Sequence, residues 1–207
     1  MDRVKNLLHG EEAAAELPKK RRIALSVSPL FPLPILCFLA FGAGEMLPAA
    51  LLAALLHELG HIAVIRLAGG KVTALRLEPF GGEIATGGSI PSYRGELAVS
   101  LAGPAVSLLC ASPLFFMTSP GFLAGFSLCS LGLGIFNLLP IKALDGGEIL
   151  HTLLLLYLSP ELSDRICRAV SAVFVCLFFC LALLGWVFLR FNPTLVLLAF
   201  YLLFTLF

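Results

Sequence analysis

Long stretches of this chain carry no charged residue. Asp, Glu, Lys and Arg are absent between Arg22 and Glu45, between Glu96 and Lys142, between Arg168 and Arg190, and from Phe191 to Phe207. A helical run of about 20 apolar residues spans a hydrocarbon layer about 30 Å thick. The pattern predicts six apolar segments, near 23–44, 49–68, 97–117, 121–140, 169–189 and 193–207. The gap from Leu97 to Ile141 has room for two passes, with Thr118-Ser119-Pro120-Gly121 as the turn between them. Pro29, Pro32 and Pro34 make the first segment irregular or kinked at its start. The last segment is short, and whether it spans fully stays open. Between the second and third segments, Val72 to Leu77 alternates in polarity and leads to Pro79-Phe80-Gly81-Gly82, which reads as a short hairpin or re-entrant loop. Residues 148–165 read as an amphipathic helix along the inner membrane surface.

The expected fold is therefore an all-α polytopic membrane protein with about six transmembrane helices. A polar cytoplasmic segment, 1–22, precedes a single integral membrane domain, 23–207. Composition agrees: 59% of the 207 residues are apolar and 13% charged, where soluble domains carry about 25%. Mean hydropathy is +0.99. These values exclude a soluble globular domain and a disordered chain. A net charge of +1 leaves no basic footprint for nucleic acid. Lys19-Lys20-Arg21-Arg22 precede an apolar run longer than the roughly 7–15 residues of a signal peptide core, so a retained first helix is expected. With the N-terminus inside, the inner connections hold Arg66, Lys71, Arg76, Arg94, Lys142, Arg165 and Arg168, and the outer ones only Arg190. The six cysteines form no C-x-x-C and read as small apolar residues.

The second segment holds the chemistry. It contains His57-Glu58-Leu59-Gly60-His61, an H-E-x-x-H motif within an apolar helix. Residues four apart face the same way, so both imidazoles reach one zinc ion. Glu58, beside the first ligand, is in this motif the proton acceptor rather than a ligand. Three ionisable groups in one turn of a membrane helix are costly unless they are paired or functional. An interhelical hydrogen-bonding cluster or a proton relay is the bland alternative.

Catalytic zinc takes three protein ligands plus water. The candidates for the third are His9, His151, Asp145, Glu45, Glu78, Glu83 and Glu148. His61 lies about 7–8 Å of helix below the inner end at Arg66. The fourth segment descends to that face and ends at Asn137-Leu138-Leu139-Pro140, followed by Leu144-Asp145-Gly146-Gly147, which gives Asp145 the matching depth. Asp-Gly is also an ordinary turn signal; the shared depth favours a ligand. Glu45 falls on the opposite face.

Together these residues resemble the site-2 protease family of intramembrane zinc metalloproteases. Leu101-Ala102-Gly103-Pro104 adds a small-residue pattern common in that family. The resemblance covers about 49–150, the family's three-helix catalytic core, with accessory helices near 23–44, 169–189 and 193–207. It implies one Zn2+ per chain held by His57, His61 and Asp145, with Glu58 as catalytic base. It places Asn137 near substrate, although a helix-packing hydrogen bond accounts for that residue equally well. It also likens the Gly81-Gly82 turn to a membrane-embedded β-loop that presents an edge to substrate. Ala102, Gly103 and Pro104 read as packing residues. The layout is closest to the stage IV sporulation protease branch, without its CBS domain and with no inserted PDZ domain.

The resulting expectation is a zinc metalloendopeptidase in a bacterial cell membrane, engaged in regulated intramembrane proteolysis. Its partners are a membrane-spanning or membrane-associated protein substrate and the lipid bilayer. A regulatory membrane partner and a homo-oligomer stay open. The alternatives are a metal or proton transporter using the same His/Glu/Asp cluster, or a catalytically inactive membrane adaptor.

Overall fold

The computed structural model describes residues 24–29, 31–32, 35–36, 39, 44–78, 81–86, 92–113, 121–189 and 194–206. Within them lie three strands, β1 (Ala24–Val27), β2 (Val72–Glu78) and β3 (Gly81–Thr86), and one 3-10 turn at Gly44–Met46. The helices are α1 (Leu47–Leu67), α2 (Tyr93–Ala111), α3 (Phe122–Asn137), α4 (Asp145–Leu155), α5 (Pro160–Leu189) and α6 (Thr194–Leu206).

Helices α1, α2 and α3 pack against one another as a three-helix core. Small residues set how closely they approach. A Cβ on Gly60 of α1 would stand 2.9 Å from the Ala102 carbonyl oxygen of α2, and one on Gly134 of α3 would stand 3.1 Å from Ser107 Cβ. Without lipid-excluded apolar surface as a driving force, such close backbone approach is what holds membrane helices together. Ala49, Ala53 and Phe126 fill the α1–α3 contact. Pro48 starts α1, where its missing N–H costs nothing. Gly69, at φ 81°, ends it: Ala68 and Gly70 return their N–H groups to Val64 and Ile65.

A second body flanks this core. Ile141 and Leu144, on the loop after α3, are buried against Val175 of α5 and Leu202 of α6. The backbone N–H of Lys142 in that loop donates to Ser171 Oγ of α5 at 2.8 Å. α4 packs on both α2 and α5.

The expected hairpin is present. β2 and β3 pair antiparallel with Leu77 opposite Gly82, and β1 adds parallel to β2, giving the order β1-β2-β3. The expected first segment over 23–44 opens with the extended strand β1 rather than a helix, while the described residues 32, 35–36 and 39 are helical. Ser28 precedes Pro29, and a residue before proline is pushed out of the helical region. Most of 30–43 lies outside the described residues, as do 1–23 and with them the polar N-terminal segment. The fold is thus mostly helical with a small mixed sheet, rather than all-α.

Among the described residues, two helices are long and apolar enough to cross a membrane: Leu47–Leu67 and Pro160–Phe188. α3 and α6 are apolar but shorter; the 16 residues of α3 make about 24 Å of helix. The six-span count is therefore not carried by length and composition. The single amphipathic helix expected over 148–165 is instead the end of α4, a turn, and the start of α5, because Pro160 opens a new helix. Gly121 sits at the start of α3, and a Cβ on Gly125 would come no closer than 3.9 Å to Ala49, so the G-x-x-x-G there marks a turn rather than a tight packing face.

Candidate metal centre

α1 presents His57 and His61 one turn apart on its buried face, at 3% and 7% exposure. Their rings meet edge to face with centroids 4.9 Å apart. Each imidazole is fixed from behind by α2. His61 Nδ1 donates to the Val99 carbonyl at 2.8 Å, and His57 Nδ1 lies 2.9 Å from Ser107 Oγ. A ring whose Nδ1 carries the hydrogen keeps its lone pair on Nε2. Both Nε2 atoms are thus turned toward one place, 3.2 Å apart.

Asp145 completes the set from 88 residues beyond His57. Its Oδ2 lies 3.0 Å from His57 Nε2 and 3.3 Å from His61 Nε2. The local chain explains how it gets there. Leu144 is extended, and Asp145 is the first residue of α4. Gly146 follows so closely on the loop that a Cβ would run into the Leu138 and Leu139 carbonyls, and one on Gly147 would meet the Ile141 carbonyl. The Gly pair is a packing requirement that seats the carboxylate, not a turn signal. Asp145 lies outside the two candidate spans.

His57, His61 and Asp145 form a group able to hold a metal ion, with one ligand atom from each lying within 4.8 Å of the others. Two nitrogens and an oxygen bonded tetrahedrally to zinc at about 2.0–2.1 Å would stand about 3.3 Å apart. The observed triangle has sides of 3.0, 3.2 and 3.3 Å. Three electron-rich atoms at that spacing, on rings held by second partners, fit zinc.

Glu58 stands apart from the ligands. Its Oε1 accepts a hydrogen bond from the Gly82 N–H of β3 at 2.8 Å, and its Oε2 is buried with no hydrogen-bond partner among the described residues.

The other sequence candidates fall elsewhere. His151 pairs with Asp164 between α4 and α5 at 3.1 Å. Glu45 is exposed in the 3-10 turn before α1, and Glu148 is exposed on α4. Glu78 and Glu83 lie on the hairpin strands, and their side chains, like His9, lie outside the described residues. Asn137 turns back on its own helix, its Nδ2 donating to the Leu133 carbonyl at 3.1 Å. Gly82 is drawn to the site through Glu58.

Three features of α2 were missed in the sequence. Val99 and Ser107 orient the imidazoles, and between them Gly103 faces both rings. A Cβ there would lie 2.7 Å from His57 Nε2 and closer still to His61 Nε2. The spacing 99, 103, 107 is one helical face, and that periodicity was the available signal.

Comparison with known proteins bears on this geometry. Residues 117–181 match the model of peptidase family M50. A solved site-2 protease from Methanocaldococcus jannaschii superposes with a TM-score of 0.66 at 27% identity, covering 88% of each chain. Over residues 117–181 the chain is similar to peptidase family M50, and its fold is that of a site-2 protease. Among curated relatives, a zinc metalloprotease of M. jannaschii is 42% identical over 107 residues, which is 48% of this chain and 31% of the relative. Stage IV sporulation protein FB of Bacillus subtilis is 31% identical over 153 residues, 70% of this chain and 51% of that protein. The chain thus spans about a third to a half of the length of these curated relatives. The M. jannaschii relative is named a zinc metalloprotease, and this chain brings His57, His61 and Asp145 together as a group able to hold a metal ion.

Proposed function

We propose that this chain is a zinc metalloendopeptidase that cleaves membrane-embedded or membrane-tethered proteins, with His57, His61 and Asp145 as ligands and Glu58 as base. The observation that carries it is the triangle of ligand atoms with a non-ligating carboxylate on the next residue of the same helix. Bound zinc lowers the pKa of water and polarises the scissile carbonyl. Glu58 takes the proton that water gives up on attacking the carbonyl carbon, then hands it to the departing amine nitrogen as the C–N bond breaks. The Val99 carbonyl keeps His61 in the tautomer that presents Nε2, and Ser107 holds the His57 ring with its Nε2 toward the same place.

A helical substrate hides its carbonyls in its own hydrogen bonds and must be extended before attack. Among the described residues β3 is an edge strand beside Glu58, which supports strand addition at Gly81 and Gly82 as the way an extended segment is held. Asn137, at the end of α3, is a further substrate-facing candidate.

The same reading takes 23–207 as one integral membrane domain around a core at about 49–150, with 1–22 as a cytoplasmic segment. It takes the chain as multi-pass, about six spans, in a bacterial cell membrane and working in regulated intramembrane proteolysis. The apolar outer faces of α1 (Leu51, Leu55, Leu59) and α5 (Val173, Leu177, Leu181, Leu184) support a lipid surround. Glu58→Gln is the decisive variant. It should bind one zinc per chain and show no cleavage of a single-pass substrate in proteoliposomes; retained turnover would remove Glu58 from the role of base.

A further inference from the structure

The hairpin meets the site at one atom pair. The Gly82 N–H donates to Glu58 Oε1 at 2.8 Å, so it points out of the sheet toward α1 rather than into β2. The contact is close. A Cβ on Gly82 would stand 2.9 Å from Glu58 Oε2, 3.0 Å from its Cδ and 3.3 Å from Leu75 Cδ1. A Cβ there would force the carboxylate to shift from its place against the strand. The other oxygen, Oε2, is buried without a hydrogen-bond partner among the described residues.

Two physical facts then collide on one amide. A buried carboxylate with a single backbone donor is held firmly by it, because the bond is charge-assisted and its loss leaves the oxygen bare. An outward N–H on an edge strand is also the group an incoming extended peptide pairs with. The same hydrogen cannot serve both acceptors at full strength.

We infer that the Gly82 amide is a positioning group with two successive partners. It tethers the Glu58 carboxylate at rest, and it passes to a backbone carbonyl of an extended peptide when that peptide adds to β3. This rests on the peptidase reading above. The handover releases Glu58 Oε1 only when a peptide lies along the strand, so water that enters an empty site meets a tethered carboxylate. Gly82 is thereby a coupling point between substrate docking and the freedom of the base, rather than a substrate contact alone.

The test follows the Gly82 amide by NMR in the full chain in detergent micelles. Paired carbon and nitrogen glycine labelling confines the signals to Gly-Gly pairs, and Gly81→Ala assigns the one that belongs to Gly82. In Glu58→Ala, hydrogen exchange at Gly82 should quicken at least about 10-fold over the wild type. Glu58→Gln, which keeps a neutral acceptor and the side-chain volume, should fall between. A doubly blocked threonine–valine pentapeptide should shift the Gly82 resonance in the wild type and restore its protection in Glu58→Ala. Equal protection of Gly82 in all three proteins overturns the tether. A peptide that inhibits cleavage yet leaves the Gly82 resonance unmoved overturns the handover. Zinc-dependent cleavage, assayed on the same wild-type preparation, separates the two claims. Cleavage with an unresponsive Gly82 leaves the peptidase standing without the tether. No cleavage with a Gly82 that loosens in Glu58→Ala overturns the peptidase alone.

Discussion

Gly103→Ala tests the metal centre by adding a single methyl group. The new Cβ would stand 2.7 Å from His57 Nε2 and nearer to His61 Nε2, where ordinary contact begins at 3.4 Å. The shortfall at His57 alone is about 0.7 Å, too large for a close-packed interior to absorb without a shift. Neither ring can turn aside freely. His61 is held at the Val99 carbonyl and His57 at Ser107. α2 cannot back away freely either, since Ala102 abuts Gly60 of α1 and Ser107 abuts Gly134 of α3. Overpacking of this kind costs about 1–3 kcal/mol. At 1.4 kcal/mol per factor of ten, a cost felt wholly at the ligands weakens zinc binding by about 5- to 140-fold. The assay is a competition titration against a zinc chelator, with circular dichroism to show that the helices persist. Gly132→Ala is the control: its Cβ would meet nothing within 4 Å, so its zinc affinity should match the wild type. Wild-type zinc affinity in Gly103→Ala would refute the claim that this face of α2 borders the metal site.

Ser107→Ala removes the partner of His57 Nδ1 without adding bulk, and should lower zinc affinity by about 10-fold, up to 100-fold, in the same titration. Asp145→Ala removes one corner of the triangle and should leave the purified protein with far less than one zinc per chain by elemental analysis; undiminished zinc would point to another third ligand. Phenanthroline should abolish cleavage, and added zinc should restore it, with no change in helix content.

The parts of this protein that were legible in its sequence are those written in side chains close together along the chain. His57, Glu58 and His61 share one turn, and helical periodicity alone puts both imidazoles on one face. Asp145 was reachable because its segment returns to the same depth. The hairpin showed in the alternation from Val72. What escaped depends on distant or backbone partners. β1 pairs with a strand about fifty residues later, and no local pattern announces a parallel partner. Val99 acts through its carbonyl, which every residue has. Gly103 acts through what it lacks, and an absent side chain reads as packing until the opposing rings are in place. The break between α4 and α5 was lost because the charges of 148–165 give one amphipathic reading across both helices.

The ligands of this centre answer to different supports. Both histidines are set by α1 and braced by α2, whereas the stretch leading to Asp145 is bolted through Ile141, Leu144 and Lys142 to α5 and α6. Tilting that outer pair against the inner three pulls on one corner of the triangle and spares the other two. Whatever displaces α5 and α6 therefore reaches the aspartate before it reaches the histidines.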